Sequence, residues 1–128
     1  MAALRFVLQV NGDIEWQEVE GWSGNEPCAP TVHFSAAKTD EIAWGDRTHG
    51  SFMTKALATS AGKTLSLSEL LIYVRYKVNE YLEEAKRRDP HIARESATQT
   101  PQIYSSIRLP LDDPRELATL MGFSSVNN

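Results

Sequence analysis

Ser66-Leu-Ser-Glu-Leu-Leu-Ile-Tyr-Val-Arg-Tyr-Lys-Val-Asn-Glu-Tyr-Leu-Glu-Glu-Ala-Lys-Arg-Arg-Asp-Pro90 is the most sharply patterned stretch of the chain. Ser66 and Glu69 form a capping box, in which hydroxyl and carboxylate each satisfy a backbone N–H that has no partner inside the helix. Leu67, Leu70, Leu71, Val74, Val78, Tyr81 and Leu82 then recur at helical spacing, and Lys77, Glu80, Glu83, Glu84 and Arg87 fill the opposite face. Pro90 ends the pattern, because the residue before proline is driven out of the helical region. The basic run Lys86-Arg87-Arg88 complements the macrodipole at that end and pairs with Glu83 and Glu84, so it implies no nucleic-acid partner.

Outward from this helix lie short β-prone runs. On the N-terminal side, Thr31-Val-His-Phe34 reads as a strand, and Ala37 to His49 as a polar surface loop with Trp44 in its middle. Ser51 to Ala58 reads as a short amphipathic helix capped by Ser51, with Gly62 as its C-terminal cap. Leu4–Val10 and Ile14–Val19, separated by Asn11-Gly12-Asp13, have the signature of a hairpin. Gly21 to Pro30 reads as a loop. Beyond Pro90, His91 to Thr100 reads as polar linker and Pro101 to Ile107 as a strand begun by proline. Asp113 to Met121 suggests one or two helical turns. The expected organisation is an acidic hairpin or linker over 1–30, a domain over 31–110 and a tail over 111–128.

The chain has 128 residues, enough for one domain with a real core. Apolar residues make up 41% and charged residues 23%, a globular composition. The net charge of −4, with five acids and one base between Met1 and Pro30, argues against a nucleic-acid partner. No apolar run approaches a membrane span, and no signal peptide is apparent at the N-terminus. The single cysteine, Cys28, excludes an internal disulfide and suits a reducing compartment, so the expected location is cytoplasmic.

Three motifs point to chemistry, and each has a plainer reading. Gly62-Lys63-Thr64 has the ending of a phosphate loop, but Leu57 stands where the first glycine belongs and a helix precedes it rather than a strand. Cys28 and His49 are the one pair able to form a thiolate–imidazole dyad, yet Cys28 sits between prolines with no helix start to lower its pKa. His33, His49 and His91 are spread over unlike elements with no metal-binding spacing. No metal or cofactor is expected. Trp44, an aromatic in a polar loop, either caps the core or lines a pocket.

From Thr31 to Pro110 the chain resembles the small subunit of the caspase and metacaspase family of cysteine peptidases. The resemblance is carried by an ordered series. It comprises Val32-His-Phe34-Ser-Ala-Ala37-Lys-Thr-Asp40-Glu41-Ile-Ala43-Trp44, then His49-Gly50-Ser51-Phe52-Met53-Thr54, the helix Leu67 to Leu82, and Gln99-Thr100-Pro101-Gln102-Ile103. It implies an α/β fold: the small-subunit half of a caspase–haemoglobinase-like mixed sheet with flanking helices. In that family the catalytic His and Cys belong to the preceding large subunit, so no catalytic residue is carried over.

What the resemblance does imply is a substrate-binding loop. Trp44 matches the aromatic that packs against substrate, with Ile42 and Ala43 beside it. Gly45 stands where caspases place the arginine that pairs with a substrate aspartate. With Asp40, Glu41 and Asp46 nearby and Arg47 as the one compensating cation, a basic residue before the scissile bond is favoured over an acidic one. The partners implied are a caspase-like large subunit and a peptide or protein substrate, with self-association through an exposed apolar sheet edge. The alternative is a catalytically inactive caspase-like interaction module.

Overall fold

The computed structural model describes residues 4–24, 29–94 and 97–115. Strands β1 (Phe6–Asn11) and β2 (Asp13–Glu18) form the expected hairpin, paired from Phe6–Glu18 to Asn11–Asp13. The reversal is made at Gly12, whose φ of +82° is open to glycine at little steric cost. The hairpin is part of the main sheet: β1 also pairs with β6 (Gln102–Ser105), and β6 with β3 (Val32–Ser35). The order is β2-β1-β6-β3, and every pairing is antiparallel. Two residues each from β4 (Gly45–Asp46) and β5 (Gly50–Ser51) make a separate small ladder.

Helix α1 (Phe52–Ser60) begins at Ser51, whose hydroxyl accepts the Thr54 N–H. Its C-terminal cap is Ala61 in helical conformation, donating to the Ala58 carbonyl, and not Gly62. One residue sooner, a 3₁₀-type bond closes the helix without a left-handed residue. Helix α2 (Leu67–Arg88) has the full capping box, with Ser66 N–H to Glu69 Oε1 at 2.9 Å and Glu69 N–H to Ser66 Oγ at 3.2 Å. Asp89 is extended at φ −128°, as the following proline requires. The segment after it is not all linker. Pro90–Arg94 forms a short helix, α3, since proline is preorganised for a first helical position and the Asp89 carboxylate accepts the His91 N–H. The turns expected over Asp113–Met121 lie largely outside the described residues.

Period-two alternation sets the core. Leu8 and Ile103 face the helices and are almost fully buried, with Ile14, Trp16, Val32 and Phe34 packed beside them. Phe52, Met53 and Ala56 of α1 and the apolar stripe of α2 complete the cluster. The alternate residues of the central strands, Val7, Gln9, Gln102 and Tyr104, point to the face that neither α1 nor α2 covers. Past β6 the chain crosses the hairpin, where Trp16 Nε1 donates to Leu109 O at 2.8 Å. It then meets the start of α2, where Ser68 N–H donates to Leu111 O at 3.1 Å.

Candidate functional site

The loop that leaves β3 and reaches β4 is held at both ends by one side chain. Gln99, buried in the segment before β6, donates from Nε2 to Ala36 O and accepts the Trp44 N–H at Oε1, each at 3.0 Å. A carboxamide offers donor and acceptor in one plane, so it bridges a C=O and an N–H. Glu41 makes the second tether. Its carboxylate accepts from the Thr100 N–H at 2.6 Å, from the hydroxyls of Thr100 and Thr98, and from the Lys38 N–H. Partial burial is the largest influence on that carboxyl and acts to raise its pKa, but these hydrogen bonds together hold it below its ordinary value. Arg75 of α2 donates to Pro101 O at 2.9 Å, fixing the start of β6 from the helix side.

Trp44 is half-buried and packs against the core, its carbonyl accepting the Phe52 N–H at 3.1 Å. Ile42 is 58% exposed and Ala43 is exposed, so the loop presents an open apolar step beside the tryptophan. Gly45 sits in the β4–β5 ladder, where an added Cβ would lie 2.6 Å from the Gly50 carbonyl oxygen. No residue with a side chain fits there without moving backbone.

Asp46 faces away from that step into a closed group. Its carboxylate accepts the His49 N–H at 2.7 Å, lies 3.2 Å from His49 Nδ1, and accepts from Arg88 Nη2 at 3.1 Å. Burial, the largest influence, pushes this carboxyl up; the hydrogen bonds from His49 and the charges of His49 and Arg88 more than offset it. The other ring nitrogen of His49 is 3.5 Å from Glu84 Oε1, and the ring stacks on Tyr81 with centroids 4.6 Å apart. The His49 side chain is 14% exposed. Both nitrogens thus face carboxylates of the fold, an arrangement suited to locking the β4–β5 turn onto α2. Cys28, the other half of the dyad considered from sequence, lies outside the described residues.

Asp40 stands apart from the Trp44 step and lines a cavity on the open face of the sheet. The sequence-predicted residues therefore divide three ways. Ile42 and Ala43 are exposed beside the half-buried Trp44 and the exposed Gly45, Asp46 belongs to the His49 group, and Asp40 to the sheet cavity. Sequence reasoning did not single out Glu41 as a tether, and it noted Gln99 without a role. Among the described residues no group of three or more His, Cys, Asp or Glu side chains is placed to hold a metal ion. No described helix is long and apolar enough to cross a membrane.

A four-strand antiparallel sheet layered on two helices, with an aromatic-bearing loop pinned by the segment before β6, makes this an α/β domain of an arrangement consistent with a caspase-like fold. The family described as Caspase domain matches residues 15–111, well over half of the chain, and the protein belongs to that family. No curated protein and no solved structure gives a match.

Proposed function

We propose that this chain is the small-subunit portion of a caspase-like cysteine endopeptidase. It shapes the substrate cleft with Ile42, Ala43, Trp44 and Gly45, and a separate large subunit supplies the Cys/His dyad. The outer edge of β3, unpaired among the described residues, is where that large subunit would extend the sheet. Pairs that share hydrogen bonds alternate along an antiparallel ladder. The Ser106 N–H donates to Thr31 O, so the N–H and C=O groups of Val32 and Phe34 face outward, toward the partner strand.

Cleavage after a basic residue is favoured over cleavage after an acidic one, and the geometry of Gly45 carries this reading. With backbone 2.6 Å from where its Cβ would be, the position supplies no cation for a substrate aspartate. An aspartate there forgoes charge-assisted hydrogen bonds of about 1.5–3 kcal/mol each.

The test is hydrolysis of paired fluorogenic peptides ending in arginine or aspartate, by the chain alone and mixed with a caspase-like large subunit. Activity confined to the mixture, with arginine preferred, is the expected result. Faster cleavage after aspartate would overturn the specificity. Tight association without activity would favour the second reading, an inactive interaction module that uses the same β3 edge. Placement in the cytoplasm is part of the proposal.

A further inference from the structure

Helix α2 buries one stripe in the core, but its back carries apolar side chains as well. Ile72 is 49% exposed and Tyr76 63% exposed, one helical turn apart. With Tyr73 and with Ile14 of β2 they line an open groove of about 500 Å³, bounded at one end by Ser68 and Glu69. Tyr73 is held in place as a wall, its hydroxyl donating to Thr59 Oγ1 at 3.1 Å. Single apolar residues on a surface need no partner, whereas a contiguous apolar groove marks an interaction site.

The described chain ends beside this groove. Ser68, at the rim, donates its backbone N–H to Leu111 O. Two residues further on, the Asp113 carboxylate accepts the Arg115 N–H at 3.0 Å, and Pro114 and Arg115 have helical geometry. An aspartate cap followed by proline in the first helical position is how a helix begins. The sequence that follows, Glu116-Leu-Ala-Thr-Leu-Met-Gly-Phe123, lies outside the described residues. It sets Leu117, Leu120 and Met121 at i, i+3 and i+4, with Gly122 suited to end a helix.

We propose that residues 117–121 dock as an amphipathic helix in the α2 groove, with Leu117, Leu120 and Met121 against Ile14, Ile72 and Tyr76. Apolar residues at this spacing are what a helix needs to seat itself in a groove. A helix from Pro114 to Met121 spans about 11 Å, close to the run of α2 between Ser68 and Tyr76. Charge selects this occupant over a second copy of the chain. Two α2 helices paired antiparallel between Ile72 and Tyr76 would set Glu69 of each opposite Glu80 of the other, a meeting of like charges. The tail brings no charged side chain beyond Glu116. Docked there, it covers the apolar back of α2 and leaves the β3 edge as the surface that recruits a partner. The groove is separate from the Trp44 step, so this inference stands or falls apart from the cleft reading.

The experiment is methyl NMR on the full chain, seeking nuclear Overhauser contacts from Ile14 and Ile72 to Leu117, Leu120 and Met121. A mixture of labelled and unlabelled chains separates contacts within one molecule from contacts between two. Contacts within one chain, unchanged on dilution, are expected. Ile72→Asp should abolish them and speed amide exchange at Leu120 and Met121 by about tenfold or more. The rest of its spectrum should stay as it is, because the Ile72 side chain is half exposed and outside the core. Leu120→Asp should have the same effect on the tail with α2 untouched. Absence of these contacts would overturn the proposal, and so would tail exchange that neither variant accelerates. Contacts found only between chains would overturn it in favour of a dimer joined through α2.

Discussion

Gln99 and Gly45 govern the loop by opposite means, one through bonds it makes and the other through an atom it lacks. Replacing Gln99 by Leu leaves the Trp44 N–H and the Ala36 C=O without partners in a half-buried setting. The expected loss is about 2–4 kcal/mol, read by urea denaturation, with faster amide exchange at Trp44. Gly45→Arg would restore the cation that caspases use, yet the Gly50 carbonyl occupies the space its Cβ needs. We expect this variant to melt earlier, by roughly 1–3 kcal/mol of lost stability, and to gain no activity toward aspartate peptides. Gain of aspartate cleavage at unchanged melting temperature would contradict the close approach of β4 and β5. Glu41 adds a pH dependence. Its carboxyl is depressed in the folded chain below its ordinary 4.5, so its contribution is complete above that value and fades as pH falls through the lower, folded value. Glu41→Gln should therefore flatten the acid side of the stability curve below about pH 4.5 and lower stability at neutrality, the effect being reduced by solvent screening of this partly exposed carboxylate.

At the scale of elements, α2 is both the longest helix and the one most fully determined by local sequence. Ser66→Ala should cost about 1 kcal/mol through loss of the cap, and Leu71→Ala about 2–5 kcal/mol, because Leu71 is 1% exposed inside the core. Thermal unfolding of the two variants should rank them in that order. The helix was legible because each of its signals lies within a few residues: cap, stripe, basic end, proline. So was the hairpin at Asn11-Gly12-Asp13. The pairing of β1 with β6 was not, since it joins residues nearly a whole chain apart and neither strand's composition names its neighbour. The group formed by Asp46, His49, Glu84 and Arg88 escaped notice for the same reason. Its members come from a two-residue strand, a turn and the last turns of α2, and no spacing along the chain links them. Glu41 looked like one more acid in a polar loop. Its partners, Thr98 and Thr100, come near only once β3 and β6 lie side by side.

Taken as a whole, the molecule divides its labour between the two faces of one sheet. The helix-bearing face holds the apolar mass and fixes the Trp44 step, whereas the other face carries the cavity lined by Val7, Gln9, Gln102 and Tyr104. Val32→Pro should leave the chain folded, since it removes an N–H that faces outward from β3. It should still weaken capture of a large subunit by tenfold or more, as measured by analytical ultracentrifugation of the mixture. Unchanged affinity would mean that the sheet is not the joining surface.

The four-strand order sets a limit on assembly. β6 is flanked on both sides, and the outer strand β2 reads Asp-Ile-Glu-Trp-Gln-Glu, with charged side chains of the kind that discourage strand addition. Growth is therefore one-sided. Among the described residues β3 is the receptive border of this sheet, so two chains meeting there would form a finished pair, with the charged β2 borders left outermost. A sheet with two open ends could lengthen into a fibre; a sheet bordered like this one would terminate after a single addition.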